Sequence, residues 1–154
     1  YEDAARVAAQ QASATKSPIE KERFHKLEHL AAASAGWILL DKAVETRSSG
    51  DFDKARQYFQ ALPQKLGQEP DVMASVENAL GVIKMTNDDT YGALRHFQTT
   101  EVKYFGVPSE VARSLYYQAQ CWEKIGNAEM RSARLRDLKD MYPKSEWARK
   151  LQDR

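Results

Sequence analysis

Residues 81–97 read GVIKMTNDDTYGALRHF, and the same pattern stands 38 positions earlier, in AVETRSSGDFDKARQYF (43–59), and 38 positions later, in AQCWEKIGNAEMRSARL (119–135). Each copy opens on a small residue (Ala43, Gly81, Ala119) and passes a turn residue (Gly50, Asp88, Gly126). Each closes on a bulky apolar side chain (Phe59, Phe97, Leu135). Ala55 echoes in Ala93, Leu66 in Tyr104 and Tyr142, and Pro70 in Pro108. Self-similarity at a period between about 20 and 50 residues marks a repeat architecture, whose units bury their apolar faces only against neighbours. A binding scaffold is the expectation, and catalysis is not.

Working outward from the echo, helical periodicity and stop signals alternate along the chain. Ser17-Pro18-Ile19-Glu20 predicts a helix start: the serine accepts from first-turn amides, proline fits the first position, and Glu20 completes a capping box. Phe24, Leu27, Ala31, Ala35 and Ile38 follow at spacings of three and four and predict one apolar stripe. The pattern runs to about Arg47, as one long helix or as two that meet at Gly36. Asp51 predicts the cap of a helix carrying Ala55, Phe59 and Leu62, which Pro63 is expected to kink or shorten. Pro70, Tyr91, Pro108 and Ala128 open four further helical stretches, and Ser145 opens a short last one bearing Trp147 and Leu151. Residues 1–16, rich in alanine, read as a weakly packing helix or the end of a longer one. No β-alternation of any length occurs, so the predicted fold class is all-α.

Composition narrows the function classes. The hydrophobic fraction is 42% and the charged fraction 29% over 154 residues, which suits one globular domain or one short array. The 23 basic and 22 acidic residues nearly cancel, and no basic stripe offers the electrostatic footprint of a nucleic-acid binder. The single cysteine, Cys121, cannot form an internal disulfide or a cysteine-rich metal site, and its repeat position, shared with Ile83, predicts a core thiol. No run approaches the roughly 18 apolar residues that span a bilayer.

Three helix pairs, with a small residue midway along the first helix and an alanine then an aromatic in the second, resemble tetratricopeptide (TPR) repeats. The resemblance covers about residues 36–146, in units of roughly 36–69, 74–107 and 112–145. It departs from the family in its period of 38, against a usual length of about 34. It departs again in Arg131, where the third unit needs a small residue, and in Thr46 and Lys84, where the first helices carry an aromatic. The tail Tyr142-Pro143-Lys144-Ser145 is similar to units of bacterial envelope TPR proteins, which implies a lean towards the cell envelope. The implied organisation is an N-terminal helical segment over 1–35, three repeats over 36–143 and a capping helix over 144–154.

The resemblance implies that the first helix of each pair lines a concave groove for a peptide or helix of a partner protein. It places Trp37, Asn78, Val82, Arg113, Tyr116, Tyr117 and Gln120 there, beside Leu40, Asp41 and Val44. Asn78 and Gln120 suit backbone amides, and the tyrosines offer apolar area with a polar tip. Of a clamp for a terminal carboxylate only Arg113 is present, so that specialised use is not expected. A second reading uses the same helices and the Trp147 lid for self-association. From another class, His25-Lys26-Leu27-Glu28-His29 spells H-x-x-E-H, which puts two histidines and a candidate base on one helical face and would fit a zinc hydrolase. Five common helix residues give that pattern easily, and the expectation is a solvated helix face, with no enzyme and no cofactor. Asn87-Asp88-Asp89-Thr90 lacks the spacing of a calcium loop and predicts a capping turn. Arg131, Arg134 and Arg136, set among acidic residues, predict solvated surface.

Overall fold

The computed structural model describes residues 2–14 and 17–151. Tyr1, residues 15–16 and residues 152–154, parts of the expected N-terminal and capping segments, lie outside them. Among the described residues there are eight α-helices and no strand: α1 Glu2–Ala14, α2 Pro18–Thr46, α3 Ser49–Leu66, α4 Pro70–Thr86, α5 Thr90–Lys103, α6 Pro108–Ile125, α7 Ala128–Met141 and α8 Glu146–Arg149. The all-α expectation holds, with α1 packed on α2 and α2 on α3, and, later in the chain, α5 on α6 and α6 on α7.

The chemistry of the helix ends accounts for most boundaries. Ser17 Oγ accepts from Glu20 N ahead of Pro18, and Ser48, Asp89, Asn127 and Ser145 each accept from an amide three residues on. Asp51 therefore sits in the first turn of α3 rather than capping it, because Ser48 takes that role. α6 ends on Gly126 at φ 83, a left-handed conformation that glycine adopts without a Cβ penalty. α2 is one helix of 29 residues running through Gly36. Pro63 does not end α3, which continues to Leu66. The proline lies in the last full turn, where its carbonyl accepts from the amide of Gly67.

The chain forms two compact units, one up to Val72 and the other from Met73. In the first, α2 is held between α1 and α3. Its buried face is Ala31, Ala32, Gly36, Leu40 and Ala43. This differs from the expected stripe: Ala31 is shared, Phe24 and Ala35 are partly buried, and Leu27 and Ile38 are exposed. The reason is close approach. A Cβ added at Gly36 would stand 2.7 Å from Phe59 Cζ, so α3 lies where only small residues fit. Tyr58 donates its hydroxyl to the Ala32 carbonyl across the same contact at 3.0 Å. α1 uses the same device, with Ala8 and Ala12 buried.

In the second unit, α4 and α6 are apolar or small over most of their circumference. Ala74, Ala79, Ala112 and Ala119 are buried, as are Val76, Val82, Val111 and Leu115. Phe97 of α5 is fully buried against Gly81, whose added Cβ would stand 2.5 Å from its ring. Ala93, Leu94 and Cys121 complete this interior, and burial pushes the Cys121 thiol up to about 11. Val111, Ala112, Leu115, Tyr116, Leu138, Trp147 and Ala148 form a continuous apolar cluster under α8. Each large side chain so buried contributes about 1.5–3 kcal/mol, which is how a helix of four residues holds its place.

Candidate functional site

Of the seven nominated residues, six belong to the second unit, and three of those are interior. Val82 and Tyr116 are buried, and Asn78 is 0% exposed. The Asn78 amide donates to the Glu110 backbone carbonyl at 2.9 Å and to its carboxylate at 2.8 Å. Glu110 in turn accepts from Arg113 Nη1 at 3.1 Å at both carboxylate oxygens. Asn78 thus ties α4 to the first turn of α6 and fixes the acid that orients Arg113. Its Oδ1 is buried and makes no hydrogen bond.

Arg113, Tyr117 and Gln120 are partly exposed, and spacings of four and three put them in one row along α6. The row is braced by aromatic packing. Tyr117 stacks on Phe97 with centroids 5.3 Å apart, meets Tyr116 edge-on at 5.4 Å and leans on Trp147 at 5.5 Å. Arg113 lies over Trp147 at 5.3 Å, and Lys150 covers that ring at 4.0 Å. Such cation–π contacts favour the indole, the best of the aromatic faces. Beside the row, a cavity of about 150 Å³ brings Tyr116 and Gln120 together with Glu123, Arg131, Leu135, Lys139 and Leu151. Its lining offers two cations, one acid and two aliphatic side chains, which suits a polar peptide group with a short apolar neighbour.

A polar network that the sequence does not signal lies nearby. Arg134 is only 22% exposed and bonds Glu101 at 3.0 Å and Asp137 at 3.0 Å, while Gln118 donates to Glu101 at 2.8 Å. Arg134 is therefore a link from α7 to α5 and α6, not the solvated surface its acidic neighbours predict. No local rule connects positions 101, 118 and 134, so only the packing reveals them.

In the first unit, Trp37 is partly buried and meets Phe59 edge-on at 5.4 Å. Leu40, read beside it as a groove residue, is fully buried, whereas Val44 is 40% exposed. The H-x-x-E-H residues line a cleft of about 500 Å³ with Lys21 and Lys65. His29 Nδ1 lies 3.0 Å from Asp71 Oδ2, and His25 Nδ1 lies 3.5 Å from Glu28. His29 is accordingly a partly buried hydrogen-bonded residue, not part of a freely solvated face. Among the described residues no three of His, Cys, Asp and Glu converge as a metal-ligand set. Asp89 caps α5, and its carboxyl is held below the usual range by the hydrogen bond from Lys84 and the Gly92 amide.

No family model, no curated protein and no solved structure matches the chain. No described helix is long and apolar enough to cross a membrane.

Proposed function

We propose that the chain is a non-enzymatic scaffold of TPR-like helical hairpins that binds an extended segment or a helix of a partner protein. The contact face is the outer row of α6, with Arg113, Tyr117 and Gln120 as contacts and the adjoining cavity taking one partner side chain. The observation that carries this reading is that this row stays partly exposed on a helix whose other faces are almost wholly packed. Tyrosine and arginine held by stacking and ion pairs lose little conformational freedom on binding, which is what energetic anchors of interfaces require. Asn78, Val82 and Tyr116 act from below: Asn78 through Glu110 on Arg113, and Tyr116 as the floor of the cavity. Trp37 is a separate candidate contact on the first unit.

The TPR-like part of the reading rests on the 38-residue echo. Most echo positions are interior: Ala43, Gly81 and Ala119, then Ala55 and Ala93, then Phe59 and Phe97. Joints of two residues between α2 and α3, and of two to four residues from α4 to α8, suit antiparallel neighbours. The test is capture from native lysate on immobilised wild type and on Arg113→Ala/Gln120→Ala, with both proteins shown to melt alike. A protein held by the wild type and lost by the variant is the expected result. Equal recovery by both would remove α6 as the contact face.

A further inference from the structure

Of the exposed large apolar residues of α2, Leu27, Leu30 and Ile38 gather on one side, while Ile19 and Val44 lie off it. Leu30 is 65% exposed, Ile38 52% and Leu27 45%. At about 100° per residue they fall with Arg23, Ser34, Asp41 and Glu45 into one strip, on the side of α2 turned away from Gly36 and Leu40. Between this strip and α1 runs an apolar groove of about 600 Å³, walled by Val7, Ala8, Leu27, Leu30 and Ala31. Single exposed leucines need no explanation, whereas a contiguous strip with a groove beside it marks an interaction surface.

The order of residues along the strip says what fits it. Leu30 and Ile38 lie four positions either side of Ser34, and Arg23 and Glu45 lie eleven either side. A second α2 laid antiparallel, with its two-fold axis at Ser34, brings Leu30 onto the partner's Ile38, Leu27 onto the partner's Asp41 and Arg23 onto the partner's Glu45. The charge pairs then stand about 16 Å from the axis on each side. A parallel pairing would instead oppose Arg23 to Arg23 and Glu45 to Glu45. The centre suits close approach: Ser34 is small, and its hydroxyl is already donated to the Leu30 carbonyl at 2.8 Å, so its burial strands no polar group. Lys26, bonded to Glu22 at 2.8 Å, stays on the flank.

We propose that α2 carries an isologous dimer interface, in which the strip Arg23–Leu27–Leu30–Ser34–Ile38–Asp41–Glu45 of one copy receives the antiparallel strip of a second copy. The same patch serves both partners, as closed two-fold symmetry requires. The interface uses only the first unit and is independent of the α6 contact face.

The test is sedimentation equilibrium of the 154-residue chain over a wide concentration range. Wild type is expected to dimerise reversibly. Leu30→Glu/Ile38→Glu, which alters only exposed positions, is expected to raise the dissociation constant at least about tenfold with unchanged helicity. Arg23→Glu should weaken the dimer, and Arg23→Glu/Glu45→Arg should restore it. A Ser34→Cys protein should cross-link to a dimer under mild oxidation, while Ile19→Cys, exposed but off the axis, should not. A wild type that stays monomeric at every concentration overturns the proposal and leaves the strip to a different occupant. A dimer indifferent to the Leu30/Ile38 change overturns it as well, by placing the contact elsewhere.

Discussion

Gly81 and Phe97 should be energetically coupled strongly enough to reverse the sign of a substitution. Gly81 lies inside α4, and an added Cβ would stand 2.5 Å from Phe97 Cε1 and 2.8 Å from Cζ, so Gly81→Ala forces the ring to move. Phe97 is fully buried and stacked on Tyr117, which leaves it little room. Overpacking of this kind costs about 1–3 kcal/mol. Against it, alanine gains about 0.8–1 kcal/mol over glycine in a helix interior. Gly81→Ala should therefore cost about 0–2 kcal/mol in the wild type. With Phe97→Leu in place the obstruction is gone and the propensity gain remains, so the same change should stabilise by up to about 1 kcal/mol. The difference is a coupling of about 1–3 kcal/mol, well above the few tenths that independent sites show. Urea unfolding followed by circular dichroism on the four proteins of the cycle measures it. Equal effects of Gly81→Ala in both backgrounds would refute the close α4–α5 contact.

Two further outcomes follow from buried groups. Asn78→Asp would set a second carboxylate against Glu110 in place of the amide donors, and should cost about 1–3 kcal/mol at neutral pH, with partial recovery on acidification. Denaturation midpoints at neutral and acidic pH read this directly, and a loss indifferent to pH would point to packing instead. Cys121 should resist alkylation in the native protein at neutral pH and react once urea unfolds it, because burial holds its thiol protonated up to about 11. An exposed thiol titrates near 9.0, so above that pH the unfolded chain sheds its proton first and stability falls until the pH passes about 11. Mass spectrometry after timed labelling checks the first point, and melting temperature against pH checks the second.

The helix ends were largely legible, because Ser17-Pro18, Pro70, Pro108, Gly126-Asn127 and Ser145 carry local chemistry that acts wherever it occurs. The buried face of α2 was not. Periodicity rewards bulk, so Phe24, Leu27 and Ile38 stood out, while the contact itself is made by Ala32, Gly36 and Ala43, which matter by being small. The groove residues divide for a related reason. Asn78 reads as a groove amide but sits at 0% exposure, because Glu110 comes to it from a distant position. Arg113, Tyr117 and Gln120 share a helical row that spacing alone displays. The brace beneath Tyr117, from Phe97 and Trp147, depends on residues 20 and 30 positions away, which no local pattern joins.

Site-specific photocross-linking on α6 tests the scaffold function most directly. A photoreactive amino acid at Gln120, on the outer row, would be compared in native lysate with one at Gln98, exposed on α5. The account predicts a discrete cross-linked protein partner from position 120 and none from position 98. A partner cross-linked only from position 98, or no protein partner from position 120, would contradict it.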